Sequence, residues 1–156
     1  LAAAAKKAGR GASDGVISSY IHAGGKIGVL IEVNCETDFV ARTDEFQGLV
    51  RDLAMQVAAS APQYVAKDQV PESVLDTERA VFRAQAAESG KPANVVEKMV
   101  EGKVQKFYTD VCLLEQPFVK DPQRTIGQIV TDAIARIGEN IVVRRFARFQ
   151  LGDAAE

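Results

Sequence analysis

Residues 27–34 constrain this chain more than any other stretch. Ile27, Val29, Ile31 and Val33 alternate there with Gly28, Leu30, Glu32 and Asn34. Successive strand side chains point to opposite faces, so a period of two with one polar-leaning side predicts a half-buried β-strand. Val16 to His22 reads as a second strand, and Ala23-Gly24-Gly25-Lys26 as the turn between them. Two such runs joined by a short Gly-rich turn predict an antiparallel hairpin.

The next segments switch to a helical period. Thr43-Asp44-Glu45 has the form of a helix start, a capping hydroxyl followed by acids. Phe46, Leu49, Val50, Leu53 and Val57 follow at helical spacing, which predicts one apolar stripe laid against the sheet. Ser60-Ala61-Pro62 ends that helix, and Gln63 to Pro71 is a connector. A second helix is expected from Glu72 to Glu88, stopping at Ser89-Gly90-Lys91. Pro92 suits the first turn of a third, which carries Val95, Val96, Met99, Val100, Val104 and Phe107. Val111 to Leu114 reads as a short extended segment broken by Gln116-Pro117-Phe118. A fourth helix is expected over Ile126 to Ile137, with Gly138 as its C-terminal cap. Ile141 to Leu151 reads as the last strand, with Ile141, Val143, Ala147 and Phe149 on one side. This order predicts an α+β fold, a small and mainly antiparallel sheet of about three strands packed against several helices.

Composition narrows the function classes. The 156 residues suit one compact domain, or one domain with two lobes. Nineteen Lys and Arg face twenty-one Asp and Glu, whereas a non-specific nucleic-acid binder is normally basic. No apolar run is long enough to span a bilayer. One His and two Cys are too few for a Cys- and His-based zinc cluster. Cys35 and Cys112 make no disulfide framework and fit a reducing compartment at least as well as an oxidising one.

Several fragments imitate catalytic motifs. Gly11-Ala12-Ser13-Asp14-Gly15 matches Gly-x-Ser-x-Gly, but a nucleophile elbow needs a strand before it and a helix after it. The predicted order here is the reverse. Gly24-Gly25-Lys26 has Ile27 where a phosphate loop needs Ser or Thr. Cys35 and His22 both fall near strand ends, so a thiolate pair is conceivable, although no third orienting group accompanies them. Arg144, Arg145 and Arg148 form a basic cluster that fits either a protected sheet edge or a phosphate-binding patch. His22 fits a surface position or a turn stabiliser.

The unusual segment is Asn34-Cys35-Glu36-Thr37-Asp38-Phe39-Val40-Ala41-Arg42. It joins the patterned strand to the patterned helix, and Phe39 and Val40 belong clearly to neither stripe. Such side chains either tuck under the sheet or stand out as anchors for a partner. The residues alone leave both readings open. This segment resembles a motif of the elongation factor Ts family. So, in order, do Tyr20 to Leu30, Ser89-Gly90-Lys91-Pro92, Glu97 to Gly102, Gln116-Pro117-Phe118-Val119 and Ile137-Gly138-Glu139-Asn140-Ile141. The resemblance runs from about Ala8 to Gly152.

The resemblance implies a guanine-nucleotide exchange factor for elongation factor Tu, with no catalytic residue, cofactor or metal of its own. It implies a partner-binding set of Thr37, Asp38, Phe39, Val40, Ile137, Gly138 and His22. Phe39 would wedge between two helices of the partner's GTPase domain, and Asp38 would pair with polar groups beside it. The magnesium and β-phosphate contacts would loosen, and GDP would leave. The resemblance further implies residues 1–10 as the remnant of a linker or helix after a missing N-terminal domain. Residues 11–152 would be the core, or dimerisation, domain and 153–156 a tail. Long family members have two related core halves, and this chain has one, so a homodimer is expected. No membrane or direct nucleic-acid partner is expected. The expected location is bacterial cytoplasm, with plastid stroma as the alternative. A ribosome- or RNA-associated module built on Arg144, Arg145, Arg148 and the basic start of the chain is the competing function.

Overall fold

A computed structural model describes residues 2–154, so Leu1 and the last two residues of the expected 153–156 tail lie outside the described residues. The elements in chain order are α1 (Ala2–Lys7), β1 (Asp14–Ile21), β2 (Ile27–Cys35), α2 (Asp38–Ala41), α3 (Asp44–Ser60), α4 (Glu72–Ala87), α5 (Ala93–Val111), β3 (Pro117–Phe118), β4 (Asp121–Thr125), α6 (Ile126–Ile137) and β5 (Val142–Gln150). The fold is α+β. One antiparallel sheet has the order β1-β2-β5, and β3 and β4 form a small second sheet.

The predicted hairpin forms in register, with Asp14 opposite Cys35 and Ile21 opposite Gly28. Gly24 and Gly25 turn it at φ 98° and 71°, angles that glycine adopts without steric cost. Gly15 is required for a different reason. Its φ is 139°, and a Cβ there would meet the Val33 carbonyl oxygen at 2.2 Å. The inner face of the sheet carries Val29, Ile31 and Val33, all buried. Helix α3 lies across it with Phe46, Leu49, Val50, Leu53 and Val57 inward, as its periodicity predicts. Helix α6 packs beside α3, contributing Ile126, Val130, Ala133 and Ile134 to the same core, and Ala4 of α1 joins it.

The last strand departs from its expected pattern. Glu32 pairs with Arg145 but Val33 pairs with Val143, so Arg144 is an extra, bulged residue. One extra residue exchanges the faces of everything beyond it. Val143 therefore points inward while Ala147 and Phe149 point outward, and Phe146 packs on the core instead. The segment Val111 to Leu114 is also corrected. α5 continues through Val111, Cys112 makes a single parallel bridge to Tyr64, and Leu113–Glu115 is a 3-10 turn. Pro117-Phe118, expected only to break a strand, pairs with β4. Buried Gln56 of α3 holds this hairpin. Its Nε2 donates to the Pro117 carbonyl at 3.1 Å and its Oε1 accepts from the Val119 amide at 2.9 Å.

Helices α4 and α5 form a hairpin with a core of its own. Val70, Leu75, Val111 and Cys112 are buried there among Tyr64, Val74, Phe107 and Tyr108. Arg83 grips Glu97 across the pair with two bonds at 3.0 and 3.3 Å.

Candidate functional site

The connection between β2 and α3 is a one-turn helix. Thr37 begins α2 in extended conformation, and its hydroxyl accepts the Val40 amide at 3.2 Å. Thr43 begins α3 in the same way, accepting the Phe46 amide at 3.2 Å. Its hydroxyl also donates to the Val40 carbonyl at 2.7 Å, and Gln47 Nε2 reaches the Ala41 carbonyl at 2.6 Å. The turn is thus tied to α3 at its C-terminal end.

A single turn can bury one side. Val40 and Ala41 enter the core, so the tucked reading holds for Val40. Phe39 takes the other side and is 80% exposed. Apolar side chains of that size on a surface are informative when the backbone beneath them is fixed. Asp38 beside it pairs with Arg42 at 2.5 Å, with both side chains in solvent. The surface here is a shallow hollow lined by Asp38, Phe39, Arg42 and Thr43.

The second expected loop lies against the first. Gly138 caps α6 in the left-handed region at φ 90°, which turns the chain so that Glu139 faces residues 36–37. Glu139 Oε1 accepts the amides of Glu36 and Thr37, each at 3.0 Å, and its Oε2 accepts the Thr37 hydroxyl at 2.7 Å. In return Glu36 Oε2 accepts the Asn140 amide at 2.6 Å. Asn140 is buried, and its Nδ2 donates to the carbonyls of Arg10 at 2.8 Å and Ala8 at 3.4 Å. Ile137 is half-buried and packs on the core, while Gly138 is exposed.

Thr37, Asp38, Phe39, Val40, Ile137 and Gly138 therefore come together, and His22 does not. His22 follows the hairpin end of β1, opposite the end where Asp14 meets Cys35. Eight strand residues separate the two ends, roughly 23 Å at about 3.3 Å per residue. His22 instead receives a local partner, with Nδ1 3.0 Å from the Tyr20 hydroxyl. The same separation removes the Cys35–His22 pair. Burial, with the Glu139 charge adding to it, pushes the Cys35 thiol up, and Cys35 Sγ donates to the Thr37 carbonyl at 3.2 Å. Burial raises Cys112 to about 11, with Glu115 adding to the shift. A nucleophilic thiol needs the opposite shift.

The other imitations also resolve as structure. Among the described residues Ser13 follows a helix and a loop and precedes β1, the reverse of an elbow's strand-then-helix order. The arginine cluster is dispersed. Arg145 pairs with Glu32 at 2.8 Å, and Arg148 donates to the Ala58 carbonyl at 3.0 and 3.3 Å. Arg144, on the bulge, has no bonded partner among the described residues. Among those residues no group of His, Cys, Asp and Glu is arranged to hold a metal ion, and no helix is long and apolar enough to cross a membrane.

The clasped loop pair leaves one phenylalanine bare at the surface. The family described as "Elongation factor TS" matches residues 4–134. The chain belongs to the elongation factor Ts family. Elongation factor Ts of Carboxydothermus hydrogenoformans is 62% identical over 153 residues, covering 98% of this chain and 70% of that protein. Elongation factor Ts of Geobacter sulfurreducens is 59% identical over all 156 residues, 72% of its own length. Elongation factor Ts of Caldanaerobacter subterraneus is 55% identical over the same span, 78% of its length. Members of the elongation factor Ts family are translation elongation factors of the nucleotide-exchange class. The pairing of the two carboxylates escapes sequence reasoning, because Glu36 and Glu139 stand 103 positions apart in separate motifs.

Proposed function

We propose that this chain binds elongation factor Tu·GDP and speeds GDP release by inserting Phe39 beside the nucleotide site. The observation that carries the reading is a phenylalanine 80% exposed on a turn whose other side is locked into the core. A rigid aromatic anchor gives up little side-chain entropy on docking, and such residues dominate interface energetics. Asp38 supplies a charge next to the wedge, Thr37 and Val40 hold it, and Ile137 and Gly138 form the neighbouring rim. A partner whose nucleotide-free form binds this surface more tightly must, by linkage, hold nucleotide more weakly. Loosening the magnesium and β-phosphate contacts is the step by which the wedge acts, because the ion is a large local charge in such sites.

His22 belongs to a second contact at the other end of the sheet, and a homodimer brings the two ends together from different protomers. The outer sheet face supports self-association. Ile17, Ile21, Leu30, Ala147, Phe149 and Leu151 lie exposed on or beside it. The Glu32 and Arg145 charges on it are paired within the chain, and Lys26 stands at its hairpin edge. A mainly apolar face suits a copy of itself, as a two-fold interface requires. Function in the cytoplasm accompanies this reading, and residues 11–152 act as the core, or dimerisation, domain. The RNA-associated alternative has less support, since two of its three arginines are bonded within the chain.

The test is release of labelled GDP from elongation factor Tu. The parent chain should accelerate it, and Phe39→Ala should need at least about 30-fold more protein for the same effect, the loss expected of a hot-spot aromatic. Equal activity of the two would remove Phe39 from the mechanism. Sedimentation of the parent and of Phe149→Asp tests the dimer, which requires the parent to associate and the variant to be monomeric.

A further inference from the structure

The clasp beneath the wedge carries a role that contact with the partner does not explain. A four-residue helix cannot sustain itself in water, because nucleation is unfavourable and its first amides lack intrahelical acceptors. Here Glu139 anchors the entrance to the turn from outside the helix, taking the amides of Glu36 and of the capping Thr37 together with the Thr37 hydroxyl. An ionised carboxylate has about four acceptor sites, and three of Glu139's are used inside the chain. Glu36 answers from the other side by accepting the Asn140 amide, and it lies 3.7 Å from Arg10.

We propose that Glu139 and Glu36 are positioning residues for nucleotide exchange, a reciprocal carboxylate clasp that sets the angle at which Phe39 is presented and that binds no partner itself. The proposal rests on the wedge reading for what Phe39 does. The clasp joins segments 102–104 positions apart by four hydrogen bonds to charged oxygens. Bonds to charged groups are the stronger class, and such supporting bonds keep a site within productive geometry. Asn140 extends the clasp to the carbonyls of Ala8 and Arg10, so the path of the chain entering β1 is fixed by the same unit. The clasp therefore makes two loops and a chain entry move as one body.

The experiment uses the full chain in the GDP-release assay, with Glu139→Ala, Glu139→Gln, Glu36→Ala, Phe39→Ala and the Glu139→Ala/Phe39→Ala double variant. Amide hydrogen exchange at Glu36, Thr37 and Asn140 is measured on each folded protein. Glu139→Ala should raise the half-saturating concentration about tenfold, the scale of a lost bond to a charged group, and should speed exchange of the Glu36 and Thr37 amides. Glu139→Gln keeps an acceptor for both amides and should recover most of the activity. In the Phe39→Ala background, Glu139→Ala should add no more than about twofold, because a residue acting through Phe39 is not additive with its loss.

Multiplying effects in the double variant would show Glu139 touching the partner and overturn the proposal. Unchanged amide exchange in Glu139→Ala would overturn it as well. Should Glu139→Ala not fold, Glu36→Ala decides the matter. It opens the Asn140 side and frees Arg10, and faster Asn140 exchange with weakened activity upholds the clasp, while parent behaviour in both readouts overturns it. Phe39→Ala at parent activity, with faster amide exchange in Glu139→Ala, would sink the wedge and leave the clasp standing as a loop-holding device.

Discussion

Phe39 and Phe46 stand seven positions apart on consecutive helices, each begun by a threonine whose hydroxyl accepts the amide three residues on. One is 80% exposed and the other is fully buried. The difference lies in helix length and placement. α3 runs 17 residues and presents a continuous stripe to the sheet, so Phe46 falls on the covered side. α2 has four residues, spends its inward positions on Val40 and Ala41, and leaves Phe39 outside. Aromatic character alone carries no assignment. What separates scaffold from site is the number of turns available to point side chains inward.

The comparison breaks first on stability. Phe46→Ala should cost about 3–5 kcal/mol, the cost of emptying a tightly packed aromatic site, and denaturant melts should detect it readily. Phe39→Ala should stay within about 0.5 kcal/mol of the parent, as surface changes do, while losing exchange activity. Comparable stability losses in the two variants would mean that Phe39 is packed in solution and is no anchor.

Much of this division was legible in advance. The strand period of 27–34, the stripe of α3, the bounds of α6 and its Gly138 cap all follow from local pattern, and local pattern is what the structure keeps there. What escaped depended on distance or on counting. The Arg144 bulge inserts one residue and reverses the faces of Ala147 and Phe149, which periodicity cannot register. The β3–β4 hairpin is held by Gln56, some sixty positions earlier. The seven-residue partner set was reached by resemblance, and the structure gathers six of them while leaving His22 at the far end of the sheet. The pairing within the clasp had no local signal, since a glutamate's partner 103 residues away leaves no spacing to read.

The second cluster offers a test by pH. Cys112 titrates at about 11 in the folded chain against an ordinary 9.0, chiefly because burial disfavours its thiolate. Its folded value is raised, so its contribution is fully present below pH 9 and is lost as pH rises through about 11. The loss approaches about 2 kcal/mol at the top of that window. Alkaline unfolding of the parent, compared with Cys112→Ala, should show that component in the parent alone. Identical pH slopes in the two proteins would mean that the thiol is hydrated in solution. Because Cys112 belongs to the cluster under α4 and α5, GDP release corrected for folded fraction should not follow this titration.

The two threonine caps sharpen the contrast more finely. Thr43→Ala should lower stability by about 1 kcal/mol, the usual value of a capping hydroxyl. Thr37→Ala removes the cap of α2 together with the hydroxyl that meets Glu139. Its stability loss should be no larger than that of Thr43→Ala, since α2 carries few buried groups, but its loss of exchange should be the greater. Melting and GDP release measured on the same samples give both numbers. A Thr43→Ala variant more damaged in exchange than Thr37→Ala would place the decisive support under α3 and not under the clasp.

The helices also end differently, and this yields the smallest effect. α2 closes through Arg42 at φ −89° and runs directly into the next cap, whereas α3 closes through Ala61 at φ 47° and ψ 53°. A non-glycine residue in that left-handed region carries roughly 1–2 kcal/mol of steric cost, and part of any relief on substitution is offset by the greater freedom of unfolded glycine. Ala61→Gly should therefore raise stability by about 0.5 kcal/mol, read as a small upward shift of the unfolding midpoint. It should leave GDP release unchanged, because 17 helical residues put Ala61 roughly 25 Å from the Phe39 turn. An effect on exchange would show that α3 transmits strain along its length to the wedge, and the scaffold could then no longer be treated as separate from the site it carries.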